Sequence, residues 1–297
     1  MGAIDAFSRT FSIVLANKKL YLFVLIMTLI LAPLSVYVIP QDFEYTYNQT
    51  SIQRGDVIVE EYGTPIAGDE AEVMLKLLAG LAVYFLVSVL LSSAFQYGTT
   101  KGVLQYLEGE DYSLGELLKD GFKHFPGVLA INIVFGLIVA VFIGIAIIPI
   151  GVGALIGLPV GWILIFLGVL LFFAVLAFSI GLTSLPVPLY VERKNLGAAF
   201  EAFSLVFRNV FSTIGFGVLM TIAVMGIVII ASPLAFIIQL TVPENIAPYV
   251  SAFVQAPLDA LMYLFLWTGG VAFYKELQRM EDIKKVDAEL EDLGLEL

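Results

Sequence analysis

Asp259, in Gln255-Ala256-Pro257-Leu258-Asp259-Ala260-Leu261, is a carboxylate set within a long apolar run. Carrying such a group into hydrocarbon is expensive, so ionisable residues in membrane spans face an interior and serve ions, protons or ligands. Two positions for Asp259 follow from two readings of the helix that carries it. A helix beginning near Tyr249 places it about 15 Å along the axis, with Pro257 interrupting the hydrogen-bond ladder and freeing carbonyls near Gln255, which suits an ion or proton site. A helix beginning at Pro257 places it in the first turn, where the dipole favours an acid and water is near; Pro257 to Lys275 is long enough to span alone. Lys76, at the outer start of another run, is the natural counter-charge in either case. Asn132 completes the candidate intramembrane polar site of Asp259, Gln255, Lys76 and Asn132. Asn132 also belongs with Gln96, Ser88, Ser92, Ser93 and Gln239, polar groups in or at the ends of spans that serve mostly as interhelical hydrogen bonds of about 0.6 kcal/mol each.

Other chemistry has little material. The chain has no cysteine and one histidine, His124, so a transition-metal site would rest on carboxylates and His124 is read as a headgroup contact. No Gly-x-Ser-x-Gly elbow accompanies that histidine and no phosphate-binding glycine loop is present, so the chain reads as a non-enzyme without cofactor or metal. A net charge of −11 without a basic cluster argues against nucleic acid as a partner.

The elements that must position these residues are six apolar runs: Leu20–Ile39, Leu77–Tyr97, Val128–Ile148, Val160–Leu182, Val210–Ile238 and Pro257–Tyr274. Each meets the roughly 20 residues a helix needs to cross hydrocarbon. Arg9, Lys18 and Lys19 precede the first run, Lys101, Lys119 and Lys123 separate the second and third, Arg193, Lys194 and Arg208 separate the fourth and fifth, and Lys275, Arg279, Lys284 and Lys285 follow the sixth. Only Arg54 and Lys76 fall on the other side. The positive-inside rule therefore predicts a multi-pass protein of the plasma (cytoplasmic) membrane with both termini cytoplasmic. The fold class expected is all-α, with six transmembrane helices forming a single domain over residues 1–275. The first run is expected to be a retained helix rather than a signal peptide, and the start of the chain lacks a myristoylation pattern.

Two segments recur. Phe11-Ser12-Ile13-Val14-Leu15-Ala16-Asn17 and Phe203-Ser204-Leu205-Val206-Phe207-Arg208-Asn209 match at four of seven positions, and each leads into a span. A fainter copy, Leu114 to Phe125, resembles Leu196 to Phe207. All three carry apolar residues at helical spacing, so the chain reads as three hairpins, each preceded by a cytoplasmic interfacial amphipathic helix. Parallel repeats of this kind are related by an axis along the membrane normal, and in transporters the site lies near their interface.

The outer loop, residues 41–72, shows alternation at Phe43, Tyr45 and Tyr47 and at Val57 and Val59, with Arg54-Gly55-Asp56 between as a turn, which predicts a small β-hairpin. Asn48-Gln49-Thr50 is a glycosylation sequon on the appropriate side. The connection Pro149–Pro159 reads as a tight external turn, with a re-entrant loop as the alternative; Gly153, Gly157 and Gly161 have the spacing that permits close helix approach. Residues 276–297 form an amphipathic C-terminal helix that pairs with a second copy or a partner protein, or folds back on the bundle.

Leu185-Pro186-Val187-Pro188-Leu189-Tyr190-Val191-Glu192, then Leu196-Gly197-Ala198-Ala199-Phe200 and Phe203-Ser204-Leu205-Val206 with Asn209, resemble the six-helix membrane proteins of archaea and bacteria related to the membrane domain of glycerophosphoryl diester phosphodiesterases. Pro186, Glu192, Ala198 and Ser204 carry the likeness, over about Leu185–Asn209. The catalytic domain of those fusion proteins is absent, so their activity does not transfer. The function expected is transport or binding of a lipid or small solute, with membrane lipids as partners. The alternatives are a membrane scaffold acting through its amphipathic helices and an intramembrane lipid enzyme.

Overall fold

The computed structural model describes residues 2–38, 49–54, 57–62, 67–157, 159–243 and 245–292. Nine α-helices among these residues run as α1 (Gly2–Ala16), α2 (Lys18–Val38), α3 (Ala67–Glu108), α4 (Leu114–Ile156), α5 (Val160–Ser184), α6 (Pro186–Arg193), α7 (Glu201–Arg208), α8 (Val210–Thr241) and α9 (Ala247–Asp292). A 3-10 turn, Leu196–Phe200, joins α6 to α7. Between α2 and α3, strands β1 (Gln49–Arg54) and β2 (Val57–Tyr62) pair antiparallel, Gln49 opposite Tyr62. Residues 39–48, with the first alternation and Asn48 of the sequon, lie outside the described residues, as do Gly55 and Asp56 of the expected turn.

Six helices, α2, α3, α4, α5, α8 and α9, are long and apolar enough to cross a membrane, which makes this a polytopic membrane protein. They form a closed ring: each packs on the next in chain order, and α9 returns to pack on α2. The outward surface is apolar, with Leu137, Ile145, Ile163, Phe166 and Ile229 all exposed. In water such a surface would be untenable, whereas lipid tails solvate it.

Backbone breaks occur where the sequence supplies a corner. Asn17 ends α1 and Asn209 ends α7, and each side-chain amide donates back to a carbonyl four residues earlier, Ile13 O at 3.1 Å and Leu205 O at 3.0 Å. Their amide oxygens accept from elsewhere in the chain, Tyr112 Oη at 2.7 Å on Asn17 and Lys284 Nζ at 3.1 Å on Asn209. The two matched heptapeptides thus end in the same local device.

The segment Leu114–Phe125 has no such corner. It is the first part of α4, which runs through Pro126 without a break. Packing explains the continuity: Leu117 and Gly121 are buried against α3, and a Cβ on Gly98 would meet the Leu117 carbonyl oxygen at 2.8 Å. Only α1 and α7 therefore stand as separate helices before a span. Likewise the helix expected at 276–297 is the end of α9, through Asp292, because no glycine or proline follows Gly270 within the helix; residues 293–297 lie outside the described residues. The end of α9 does lie along the bundle, with Arg208 and Glu281 paired at 3.6 Å and Lys284 on Asn209.

The α4–α5 connection is short. Gly157 takes a positive φ of 78°, α5 begins just after Pro159, and Gly153 and Gly161 are in such close contact that a Cβ on either would strike the other's carbonyl oxygen.

The ring is packed unevenly along its length. At the end that carries both termini, Val103, Val187, Leu185, Leu189, Val271, Phe273 and Tyr274 are buried, and α1, α6 and α7 cover them. The opposite, distal end is where the candidate site lies.

Candidate functional site

Helix α9 starts at Ala247, ten residues before Pro257. This excludes a first-turn position for Asp259, which instead sits 12 residues into the helix, about 18 Å along it. The helix runs through Pro257 without a break, and α2 is fastened to it there. Tyr21 Oη donates to Pro257 O at 3.2 Å and Thr28 Oγ1 to Ala256 O at 2.8 Å. The carbonyl that the proline's missing N–H leaves free is that of Phe253, four residues earlier, so these bonds join the two helices rather than repair the ladder.

From this turn α9 presents Ser251, Gln255, Asp259 and Tyr263, each four residues from the last and therefore on one face. Gln255 Nε2 donates to Ser251 Oγ at 3.1 Å. The face lines a cavity of about 710 Å3, enclosed by α2 through Thr28, Leu31, Ala32, Ser35 and Val36, by α3 through Tyr84, and by the first turns of α9. Tyr263 in turn lies against Trp267, ring centroids 5.3 Å apart and tilted by 32°. The walls combine one carboxylate, an amide, five hydroxyls from Thr28, Ser35, Tyr84, Ser251 and Tyr263, and small or branched apolar side chains. Polar groups beside apolar ones are what an amphipathic guest requires of a site.

The structure gathers two of the four candidate residues. Asp259 and Gln255 line the cavity. The backbone of Lys76 is on α3, two turns nearer the distal end than Tyr84, and its side chain lies outside the described residues. Asn132 is elsewhere: its amide donates to Gln96 Oε1 at 2.9 Å across the α3–α4 contact, so it is a packing bond and not part of the site. Ser88, Ser92 and Ser93 bond carbonyls of their own helix, and the Gln239 side chain lies outside the described residues. His124 stacks on Tyr97, centroids 4.7 Å apart and planes within 9°, with Nδ1 3.0 Å from Asp120 O. Among the described residues no group of three His, Asp or Glu side chains could hold a metal.

Tyr84, Tyr263, Thr28 and Ser251 were not singled out from the sequence. The signal for two of them was present as the four-residue spacing from Ser251 to Tyr263. Tyr84 and Thr28 enter only through the packing of α2 and α3 on α9.

A second polar cluster lies at the end bearing the termini. Glu192, on α6, accepts hydrogen bonds from Tyr274, from Lys275 at 2.5 Å and from Gln278 at 3.4 Å, all on α9. Side chains of Glu192 and Lys275 are 30% and 22% exposed, so solvent screening is incomplete and the pair ties α6 to α9. A double-mutant cycle on Glu192→Gln and Lys275→Met is expected to give a coupling of roughly 1 kcal/mol in thermal unfolding. A value near zero would reduce the contact to an ordinary surface bridge.

No protein-family model, curated protein or solved structure matches this chain.

Proposed function

We propose that this chain is a non-enzymatic transport or binding protein of the plasma (cytoplasmic) membrane, oriented with both termini cytoplasmic, that takes a lipid or small solute into the cavity between α2, α3 and α9. The observation that carries this reading is the cavity: about 710 Å3, polar along one stripe of α9 and mixed along α2, where Leu31, Ala32 and Val36 stand among Thr28 and Ser35, within the roughly 300–1,000 Å3 typical of small-molecule sites. The packed half of the ring beneath it makes the cavity a vestibule reached from the distal side, not a pore.

A threefold construction supports the transport reading. Val103-x-x-Tyr106-x-Glu108, Val187-x-x-Tyr190-x-Glu192 and Val271-x-x-Tyr274-x-Glu276 recur at a constant interval of 84 residues. The three valines are 0%, 1% and 0% exposed. Contacts between units recur as well. Ala94 and Gly98 of α3 meet Gly121 and Leu117 of α4, and in the same pairing Ala177 and Gly181 of α5 meet Gly217 and Thr213 of α8. Three parallel units about an axis along the membrane normal is a plan that transporters use, with the site near a repeat interface; the cavity lies where the third unit's α9 meets the first unit's α2 and α3.

Kinship with the six-helix proteins related to the glycerophosphoryl diester phosphodiesterase membrane domain is part of the same proposal and rests on Pro186, Glu192, Ala198 and Ser204. The scaffold reading has less support. Gly2, Ala3, Ala6, Thr10 and Ile13 of α1 are buried in contacts with α8 and α9, so one face of α1 is taken up by the bundle, and Ile4, Phe11 and Leu15 form the face left open to a partner or to lipid.

The test is native mass spectrometry of protein extracted gently from its own membrane, beside the variant Ala252→Trp, whose indole fills the cavity. Wild-type protein is expected to carry a lipid or solute of defined mass that the variant lacks. Equal retention by both, or none by either, overturns the proposal.

A further inference from the structure

We infer that the guest of the α2–α3–α9 cavity is an amphiphile with a single positive charge, an alkylammonium headgroup seated on Asp259 between the rings of Tyr84 and Tyr263. This rests on the preceding reading of the cavity as a binding site and specifies its ligand class.

Three observations point the same way. The first is the carboxylate itself. By the interval of 83 residues that relates Ala94, Ala177 and Ala260, the residues corresponding to Asp259 are Ser93 and Leu176. Ring packing in the other two units is achieved without an acid, so the cost of placing one in a span is met for something other than packing. The second is the aromatic setting. Tyr84 and Tyr263 line the same cavity as Asp259, with Trp267 behind Tyr263. Aromatic faces attract an organic cation through their quadrupole, and quaternary ammonium groups are commonly recognised in this way.

The third is the division of the walls. Leu31, Ala32 and Val36 of α2, with Pro248 and Ala252 beside the polar stripe on α9, supply apolar wall, enough for an alkyl chain while the headgroup stays on Asp259. An anionic amphiphile would meet like charge at Asp259, the one carboxylate among the residues lining the cavity. A neutral one would leave the carboxylate without a counterpart in the guest.

The proposal separates from the cavity reading by probes with a common tail. Purified protein in a nonionic detergent is titrated with dodecyltrimethylammonium, dodecanol and dodecyl sulfate, and binding is read by native mass spectrometry and by Trp267 fluorescence in a Trp162→Phe background. The ammonium probe is expected to bind at least roughly tenfold more tightly than the other two, and Asp259→Asn is expected to remove that preference. Comparable binding of all three by the unmodified cavity overturns the charge assignment and leaves the binding site standing. Failure of every probe, together with equal retention of a native ligand by Ala252→Trp and its parent, overturns both. Tetramethylammonium distinguishes a site for the headgroup alone: binding as tight as that of the dodecyl probe overturns the amphiphile.

Discussion

Gly217→Leu is expected to leave little or no monodisperse protein after extraction, with size-exclusion profiles shifted to aggregate. A Cβ at Gly217 would lie within bonding-excluded distance of the Ala177 carbonyl, so even alanine forces α8 away from α5. Inserting methylenes into a packed contact already costs about 1–3 kcal/mol when the surroundings adjust. Here the obstacle is backbone, which cannot turn aside as a side chain can. Two helices of a closed ring would have to separate, which opens the adjacent seams as well. Gly115→Leu supplies the control, since nothing stands within 4 Å of a Cβ there. If both variants elute like the parent, the α5–α8 contact is looser than described and the repeat of it at Gly121 loses its meaning.

Val271→Asp is expected to be equally damaging for a different reason. Val271 is fully buried beside Val103 and Val187 in the packed half of the ring. A lone carboxylate in such a place, or the neutral acid left without hydrogen-bond partners, is among the few single changes able to cost more than about 4 kcal/mol. Val286→Asp makes the same chemical change where the side chain is exposed, and a shift within about 0.5 kcal/mol is expected for it. Melting temperatures of the two variants in one detergent provide the check. A mild effect at Val271 would mean that water reaches the packed half, and the vestibule would then have to be redrawn as a continuous path.

Much of the architecture was legible before any coordinates. Six apolar runs became six long apolar helices because length and hydrophobicity are what a bilayer demands. The corners at Asn17 and Asn209 were marked by matched heptapeptides, although the sequence could not say that the amide itself makes the corner. The ends of the long helices were not legible. Hydropathy reports where hydrocarbon contact stops, whereas a helix continues until a breaker ends it, so α3, α4 and α9 all run well past their apolar runs. Asp259 is the case where this mattered. A proline reads as a start signal, yet α9 runs through Pro257, with Thr28 and Tyr21 bonded to the Ala256 and Pro257 carbonyls from 228 and 236 residues away, and no local pattern encodes such partners. Asn132 looked like a site residue because it is polar in a span, and only the position of Gln96 shows that its need is met by packing.

The seam between α2 and α9 bears on how the protein is made. Tyr21 and Pro257 meet across 236 residues. At roughly 5–20 residues per second of synthesis, α2 is inserted something like 12–47 s before its neighbour exists. Through that interval the hydroxyl of Thr28 and the small side chains around it face lipid or the insertion machinery, and the ring is an open arc with two unmatched edges. The vestibule, built from the first two spans and the last, is accordingly the final part of the molecule to come into being, and any guest present in the membrane at that moment would be enclosed at birth.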